Sequence, residues 1–217
     1  MMRMLVTGAN RGIGRAIAAQ AVARGWQVWA LTRGGDVPKG ATALHADVTD
    51  RAALAAAAAR ISALDVLINN AGISGPTTCH TPDLPGDALM EVFHVNTVAP
   101  LLVAQAFLPA LRAAGRGRIL NISSQMSAMD YRKSDQPAYR ASKAALNKLM
   151  QCLATDLEPH GIPVVLIDPG WVRTDMGGSE ALLDATEVAN GILDTATSLS
   201  IAQTGRFLTW AGKDRTF

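Results

Sequence analysis

The stretch from Thr7 to Gly14, Thr-Gly-Ala-Asn-Arg-Gly-Ile-Gly, decides the fold of this chain. A short apolar run, from Met2 to Thr7, leads into it and predicts a buried strand. Apolar residues at helical spacing follow from Ile13 to Val22 and predict an amphipathic helix that ends near Gly25. A glycine-rich turn between a strand and a helix is the setting in which α/β proteins bind the phosphates of a dinucleotide.

The glycines of this turn have separate roles in such a site. Gly8 permits the tight turn, while Gly12 and Gly14 remove side chains where phosphate approaches the backbone and where the helix packs on the sheet. The helix N-terminus then presents N–H donors and a positive dipole end to the anion. A glycine-rich turn without a ligand is the alternative.

Two arginines predict which dinucleotide is bound. In dinucleotide folds, an acid at the end of the second strand binds the ribose hydroxyls, whereas an arginine there accommodates a 2′-phosphate. Here the second strand, Gln27 to Thr32, is followed by Arg33, with no acid until Asp36, and Arg11 is a second cation within the turn. The pair favours NADP(H), with NAD(H) still open. The alternative is that Arg33 is a solvated loop charge.

Strands and helices alternate along the rest of the chain. Further strands are predicted at 41–46, 66–69, 117–124, 162–167 and 206–210. Helices are predicted at 51–62, 87–114, 139–159 and 187–199, with Pro137 suited to the first turn of the third. This order predicts a single-domain Rossmann fold over residues 1–217, a doubly wound parallel sheet of about seven strands with helices on both faces. Ligands of such sheets bind at the carboxyl ends of the strands.

Three polar residues have predicted local roles. Asp47, at the end of the third strand, is predicted to contact adenine or to cap, whereas Asp50 is the preferred N-cap of the next helix. Asn96 lies inside the helical stretch 87–114, and Pro100 follows it, which predicts a kink that can hold water. The alternative for Asn96 is an ordinary surface position.

Composition excludes several classes of protein. The chain has 217 residues, 49% of them hydrophobic and 18% charged, which is typical of a globular protein. A net charge of +2 without a basic patch gives no reason to expect nucleic acid. Cys79 and Cys152 have no metal or disulfide spacing. With no signal peptide and no run of 18 apolar residues, we expect a cytoplasmic protein that does not associate with membranes.

Tyr139 and Lys143 carry the predicted chemistry. They stand four residues apart near the start of a helix whose apolar stripe includes Ala141, Ala144 and Leu146, so their side chains share a face. A neighbouring ammonium group favours the phenolate, which predicts a lowered pKa for Tyr139 and efficient proton transfer. An ordinary surface Tyr and Lys is the alternative.

Six ordered motifs resemble the short-chain dehydrogenase/reductase family over essentially the whole chain. They are Thr7-Gly8-x3-Gly12-x-Gly14, Asn69-Asn70-Ala71-Gly72, Asn96, Ser124, Tyr139-x3-Lys143 and Pro169-Gly170. The segments Tyr139 to Asn147 and Gly170 to Gly178 are similar to the C-factor-like and small carbonyl-reductase branch.

The resemblance implies roles for these residues. Tyr139 would donate a proton to a substrate carbonyl as hydride arrives, Lys143 would bind the nicotinamide ribose, Ser124 would hydrogen-bond the carbonyl oxygen, and Asn96 would hold a water. The predicted catalytic residues are therefore Asn96, Ser124, Tyr139 and Lys143. The predicted cofactor-binding residues are Gly8, Asn10, Arg11, Gly12, Ile13, Gly14, Arg33, Asp47, Val48, Asn70, Ala71, Gly72, Tyr139, Lys143, Pro169, Gly170, Val172 and Thr174.

The sequence departs from the family pattern in three places, one of which is the missing glycine shortly after Ser124, where Gln125 to Ala128 stand. The polar segment between Ser124 and Tyr139 is longer than usual, so Ser123 or Ser127 could be the active hydroxyl. The segment after Met176 is short, which suggests an open site and broad or unusual substrates.

The expected function is an NADP(H)-dependent oxidoreductase that reduces an aldehyde or ketone to an alcohol. The alternative is an NADP(H)-binding signalling or regulatory protein without significant turnover, and non-redox chemistry such as dehalogenation is a third hypothesis. The expected partner is a small carbonyl or alcohol substrate. Relatives form dimers or tetramers through helices such as 87–114 and 139–159, whereas small carbonyl reductases can be monomers.

Overall fold

The computed structural model describes residues 1–217 and contains one seven-stranded sheet in which every pair of neighbouring strands is parallel. The strands are β1 (Arg3–Thr7), β2 (Gln27–Thr32), β3 (Thr42–His45), β4 (Val66–Asn69), β5 (Arg118–Ile122), β6 (Val164–Asp168) and β7 (Phe207–Thr209). The helices are α1 (Gly12–Ala23), α2 (Arg51–Ala58), α3 (Gly86–Phe93), α4 (Ala99–Ala113), α5 (Pro137–Leu157) and α6 (Ala185–Ser198). The spatial order β3-β2-β1-β4-β5-β6-β7 confirms the expected doubly wound fold.

The order of the strands reverses between β1 and β4, and this is where a doubly wound sheet opens a crevice for ligands. The hydroxyl of Thr7 accepts hydrogen bonds from the backbone N–H groups of Asn70 and Ala71, each at 3.0 Å. The Asn70 side chain donates to the carbonyl oxygen of Thr7 at 2.9 Å. These bonds hold the segment after β4 against the glycine turn after β1.

The sheet is covered by apolar layers on both faces. Ile17 of α1 and Ile192 of α6 belong to the cluster on one face. Phe107 of α4 and Met150 of α5 belong to the cluster on the other face, and all four side chains are fully buried. Burying a side chain of this size stabilises a fold by roughly 1.5–3 kcal/mol. The sheet and its helices therefore form a rigid support for the loops at its carboxyl edge.

The predicted irregularity at Asn96 is confirmed. The structure has one turn of π-helix, His94–Val98, between α3 and α4. Such turns insert an extra residue and redirect side chains, often at functional sites. Asn96 is fully buried, so the surface position considered as its alternative is wrong.

The helical stretch Gly86–Ala113 is long and apolar enough, by length and composition, to cross a membrane, with a mean hydropathy of 1.4 in its most apolar window. The sequence prediction named no such segment because the stretch is interrupted by polar residues. Phe107 and Leu111 from this stretch are fully buried in the core. Core helices of soluble proteins pass the same test, so the finding is weak evidence for a membrane span.

Helix α2 begins as predicted but ends earlier. The Asp50 carboxylate accepts hydrogen bonds from the N–H groups of Ala52 and Ala53 at 2.9 and 3.1 Å, which confirms it as the N-cap. The helix was predicted to reach residue 62, yet it stops at Ala58. Beyond it, the N–H of Leu64 bonds to the carbonyl of Ala110. At the helix end itself, the N–H groups of Arg60 and Ile61 bond to the carbonyls of Ala57 and Ala58, so the last turn tightens and α2 stops there.

Candidate active site

A cleft of about 730 Å³ lies at the carboxyl edge of the sheet, and it is the setting for the predicted site. The volume falls within the range of roughly 300–1,000 Å³ that is usual for ligand pockets. Two predicted residues, Gly14 and Asn96, do not line it. The predicted residues that do line it are Gly8, Asn10, Arg11, Gly12, Ile13, Arg33, Asp47, Val48, Asn70, Ala71, Gly72, Ser124, Tyr139, Lys143, Pro169, Gly170, Val172 and Thr174.

The glycine turn forms the floor of one half of the cleft. Gly8 and Gly12 have φ angles of 67° and 53°, which favour glycine because other residues rarely adopt the left-handed region. A Cβ atom on Gly12 would lie 3.4 Å from the Thr174 methyl group on the opposite wall. No side chain caps the N-terminus of α1, so its N–H groups can bind an anion. The turn therefore fits a phosphate group.

Gly14 has a packing role instead of a place in the cleft wall. A Cβ atom on Gly14 would lie 2.4 Å from both the Asn70 amide nitrogen and the carbonyl oxygen of Gly8. Contacts this short require the backbone to move, and the backbone here belongs to the turn itself. The predicted role of Gly14 in helix–sheet packing agrees with this position, whereas direct contact with the cofactor stays a prediction.

We expect Gly14→Ala to destabilise the fold by roughly 2–4 kcal/mol, because overpacking at a site without space forces the turn and the Asn70 side chain apart. The measurement is the urea midpoint of unfolding. Gly86→Ala is the matched control, because a Cβ atom there meets nothing within 4 Å and the residue begins α3. Equal midpoints for the two variants would contradict the packing role.

Both predicted arginines lie at the cleft, and each has a carboxylate nearby. Nη1 of Arg33 is 3.9 Å from Oδ2 of Asp47, and Nη1 of Arg11 is 3.3 Å from Oδ2 of Asp175. All four side chains are substantially exposed, so these pairs are weak and can exchange partners. The sequence placed no carboxylate beside Arg33, and the fold brings Asp47 there from the end of β3.

Asp47 has a local structural role in addition to its place in the wall. Its Oδ1 accepts hydrogen bonds from the N–H and the hydroxyl of Thr49, at 2.9 and 2.7 Å. These bonds hold the pKa of the Asp47 carboxyl below its usual value. The Asp47 carboxylate therefore caps the backbone at Thr49, which agrees with the capping alternative. Contact with adenine stays a prediction.

Tyr139 and Lys143 project from the first turns of α5, which begins at Pro137 as predicted. The Nζ atom of Lys143 lies 5.7 Å from the centre of the Tyr139 ring and donates a hydrogen bond of 2.8 Å to the carbonyl of Ile122. Only 4% of Lys143 is exposed. The two residues therefore share one wall of the cleft, with the amine beneath the ring and the end of β5 behind it.

The prediction that Lys143 lowers the pKa of Tyr139 is wrong for this structure. Burial raises the pKa of Tyr139 to about 12, and a hydrogen bond with Ser124 only partly opposes it. Burial also lowers the pKa of Lys143 to about 8. Desolvation is the largest cause of both shifts, because a low-dielectric environment disfavours the charged form of each group. At neutral pH, Tyr139 is a neutral phenol and Lys143 is a cation.

The structure favours Ser124 among the three serines that were considered. Ser123 donates a 2.6 Å hydrogen bond to Asn147, and Ser127 donates one of 2.6 Å to the carbonyl of Ser124. Asn147 also donates to the Ser127 hydroxyl at 2.8 Å. The hydroxyls of Ser123 and Ser127 are thus buried and already hydrogen-bonded to other residues. Ser124, by contrast, lies partly exposed in the cleft and interacts with Tyr139.

Asn96 supports the site from behind the wall. Its Oδ1 accepts from the N–H of Ile73 at 2.9 Å, and its Nδ2 donates to the carbonyl of Ile73 and to the Ser142 hydroxyl at 2.8 and 3.0 Å. These bonds fix the segment that follows Gly72 against α5. The water that Asn96 was predicted to hold stays a prediction.

Sequence reasoning missed several residues that organise the site. The buried stripe of α5 includes Ser142, Lys143 and Asn147, whereas the apolar Ala141 is exposed. Leu146 and Leu157 of the predicted apolar stripe are buried, and polar residues of the site share this buried face with them. Asp168 was also missed: its Oδ1 accepts from the N–H groups of Gln125 and Gly170, both at 3.1 Å. An acid at the end of a buried strand was the available signal.

The remaining wall of the cleft is apolar and open to solvent. Trp171 and Met176 line it with about half of their surface exposed, 49% and 53%. The Trp171 indole N–H donates to the carbonyl of Gly177 at 2.8 Å, which closes a tight loop. This geometry agrees with the expected open site.

Comparison with known proteins gives consistent results. The model of the short chain dehydrogenase family matches residues 2–182. The C-signal protein of Myxococcus xanthus is 40% identical over 152 residues, which are 70% of this chain and 91% of that protein. The NADPH-bound carbonyl reductase from chicken fatty liver is 34% identical, with a TM-score of 0.91 over 100% of this chain and 99% of the other. The carbonyl reductase Sniffer of D. melanogaster is 29% identical, with a TM-score of 0.94 over both whole chains.

The family match covers most of the chain, including the glycine turn, Ser124, Tyr139 and Lys143. The seven-stranded parallel sheet and the position of the cleft agree with it. This chain is an oxidoreductase that belongs to the short-chain dehydrogenase/reductase family.

Proposed function

We propose that this protein is an NADP(H)-dependent carbonyl reductase with Tyr139 as its general acid/base. One observation carries the proposal: a single cleft joins the glycine turn and two arginines to the group formed by Ser124, Tyr139 and Lys143. One end can hold an anionic dinucleotide, and the other can move a proton. A pure binding site would not require the second end.

The residues of the cleft fit the cofactor. The glycine turn and the N-terminus of α1 would bind the pyrophosphate, and Arg11 and Arg33 would bind a 2′-phosphate by exchanging their weak carboxylate partners. Lys143 would bind the nicotinamide ribose, while Pro169, Val172 and Thr174 would line the nicotinamide pocket. The chemistry that NADPH supplies when bound is delivery of hydride to the carbonyl carbon.

The protein would manage the proton and the charge on oxygen. With a pKa near 12, Tyr139 is protonated at neutral pH and can donate to the carbonyl oxygen. Ser124 would hydrogen-bond the same oxygen, and the Lys143 cation would stabilise the phenolate that remains. The protonation states therefore favour reduction over alcohol oxidation at neutral pH.

The similarity to the C-signal protein keeps a signalling role in view, but the geometry favours catalysis. Binding of the cofactor ribose would account for Lys143 alone, whereas Tyr139 beside this buried amine and Ser124 is an arrangement that suits proton transfer. The substrate class supported best is a neutral aldehyde or ketone with an apolar body, since Trp171 and Met176 line the open wall.

We also propose that the chain forms a single domain and acts in the cytoplasm, as a dimer, a tetramer or a monomer.

The proposal is tested by steady-state assays with NADPH and NADH against a panel of activated aldehydes and diketones. We expect oxidation of NADPH to be faster than that of NADH, and we expect Arg33→Ala to raise KM for NADPH about tenfold through loss of a charged hydrogen bond. KM for NADH should not change. Arg112→Ala, an exposed residue near the end of α4, is the control. No turnover of either cofactor across the panel would refute the proposed activity.

A further inference from the structure

The chain beyond β7 folds back onto the sheet instead of leaving it. Leu208 and Asp214 form an antiparallel bridge, and the N–H of Arg215 donates to the carbonyl of Phe207 at 2.8 Å. The N–H of Thr209 also donates to the carbonyl of Lys213, at 2.7 Å. These backbone bonds fix residue 215 beside the start of β7, the strand next to β6.

The Arg215 guanidinium reaches the region behind the active site. Its Nη1 lies 3.1 Å from Oδ2 of Asp168, and its Nη2 donates to Oε1 of Gln125 at 3.3 Å. The Asp168 side chain is 5% exposed and that of Arg215 is 31% exposed. The pair is therefore a partly buried one that solvent screens much less than a surface ion pair.

Asp168 connects the two segments that flank the reactive groups. Its other oxygen, Oδ1, accepts from the N–H of Gln125, directly after Ser124, and from the N–H of Gly170, in the wall of the cleft. One carboxylate thus fixes the hydroxyl-bearing loop and the Pro169-Gly170 loop relative to each other. Arg215 in turn fixes that carboxylate from the opposite side.

We propose that Arg215 is a positioning residue for the reaction at Tyr139, holding Asp168 so that the loops after Ser124 and Pro169 keep their spacing and so that the Asp168 charge is balanced. The inference rests on the proposed function, because it assigns Arg215 an effect on proton transfer by Tyr139. It links the C-terminal tail, which carries no family motif, to the active site.

Electrostatics support the same assignment. The Asp168 carboxylate raises the pKa of Tyr139, in addition to the larger effect of burial. Lys143, on the same helix as Tyr139, is a cation in this wall of the cleft, and Arg215 contacts the Oδ2 atom of Asp168. Removing Arg215 leaves the Asp168 charge unbalanced, so the phenolate becomes harder to form. The other charged side chains that line the cleft are Arg11, Arg33, Asp47, Glu91 and Asp175.

The first test uses Arg215→Met, which keeps most of the side-chain volume and removes the charge. In the direction of alcohol oxidation with NADP⁺, where Tyr139 must accept a proton, we expect the rising limb of the pH profile of kcat/KM to move by about 0.5–1 pH unit to higher pH. That displacement lowers the rate about three- to tenfold below the inflection. Arg215→Lys keeps the positive charge, so its pH profile should move less than that of Arg215→Met. Arg206→Met is the control, because Arg206 pairs only with the exposed Asp214 in the same tail.

A second pair of variants separates charge from packing. Asp168→Asn keeps an acceptor for the two backbone N–H groups but removes the negative charge, so the limb should move to lower pH. The double variant Asp168→Asn with Arg215→Met should return it to near the wild-type position. A purely structural role would make the two single changes act in the same direction, and that result would overturn the proposal.

Hydrogen–deuterium exchange of the unliganded protein gives a readout that does not depend on turnover. Arg215→Met should speed exchange in peptides that contain Gln125 and Gly170 but not in the glycine-turn peptide, and Arg206→Met should change neither. If Tyr139→Phe is inactive while Arg215→Met shows wild-type pH profile and exchange, the inference fails and the proposed function stands. If the wild-type enzyme has no turnover, the proposed function fails, and unchanged exchange in Arg215→Met would overturn the positioning role independently.

Discussion

Tyr139→Phe is expected to lower kcat for carbonyl reduction by about 10³-fold, within the range of 10²–10⁴ that general acid catalysis contributes. The change removes one hydroxyl and leaves the ring that packs over Lys143. Without the phenol, only the Ser124 hydroxyl would hydrogen-bond the carbonyl oxygen, and the group proposed to supply the proton is missing.

The fold and the dinucleotide site should survive this substitution. Ring burial is unchanged, so the free energy of unfolding should stay within about 0.5 kcal/mol of wild type. The dissociation constant for NADPH should change by less than about threefold. Stopped-flow measurement of NADPH oxidation separates the chemical step from binding. A fall in kcat without a matching rise in the dissociation constant is the expected pattern.

The chain offers a matched control, since Tyr131 is its other tyrosine. Tyr131 is 39% exposed and lies under the cations of Lys133 and Arg140, contacts that a phenylalanine ring preserves. Tyr131→Phe should therefore keep wild-type kcat. An active Tyr139→Phe enzyme, or an equal loss in both variants, would show that the proton comes from another source.

The fold was predictable because its signals are local. The strand–glycine–helix sequence around Thr7 to Gly14 and the alternation that follows it need only periodicity and turn chemistry. Asp50 as an N-cap and Pro137 at the first turn of α5 are also local, and both appear as predicted. Element ends were less predictable, since α2 ends in a tightened turn that its alanine-rich sequence does not signal.

The sequence predicted most of the residues that the structure brings together in the cleft, but not the electrostatics there. Sequence spacing places Tyr139 and Lys143 on one helical face, yet it does not show how deeply that face is buried. Burial reversed the expected pKa shift of Tyr139. Asp168 and Arg215 could not be paired from sequence, because their 3.1 Å contact depends on how the tail returns beside β7.

Lys143→Met is expected to abolish most activity while making the protein more stable. The amine is 4% exposed and donates one hydrogen bond, to the carbonyl of Ile122. Its pKa falls from 10.5 to about 8, so keeping it charged in the fold at neutral pH costs about 3 kcal/mol. Removing the hydrogen bond to the Ile122 carbonyl destabilises the variant by about 1–2 kcal/mol, which offsets part of the gain from removing the buried charge. The net gain of roughly 1–2 kcal/mol should raise Tm by about 3–6 °C.

The pH dependence of stability identifies the cause. Between about pH 8 and 10.5, the folded protein has released the Lys143 proton that the unfolded chain still binds. Stability of the wild type should therefore rise through this window, and the cost of the buried charge should be fully present below pH 8. The Met variant lacks this rise, so the stability difference between the two proteins should shrink as pH increases.

Urea unfolding at several pH values, together with assays of carbonyl reduction, measures both effects on the same samples. Lys148→Met is the matched control, because Lys148 is exposed on the same helix and should affect neither quantity. Activity should fall at least about 100-fold in Lys143→Met, since the positive charge that would stabilise the Tyr139 phenolate is lost. A less stable Lys143→Met protein would mean that the amine holds the fold together. A more stable but inactive one would mean that the chain keeps a costly buried charge for its chemistry.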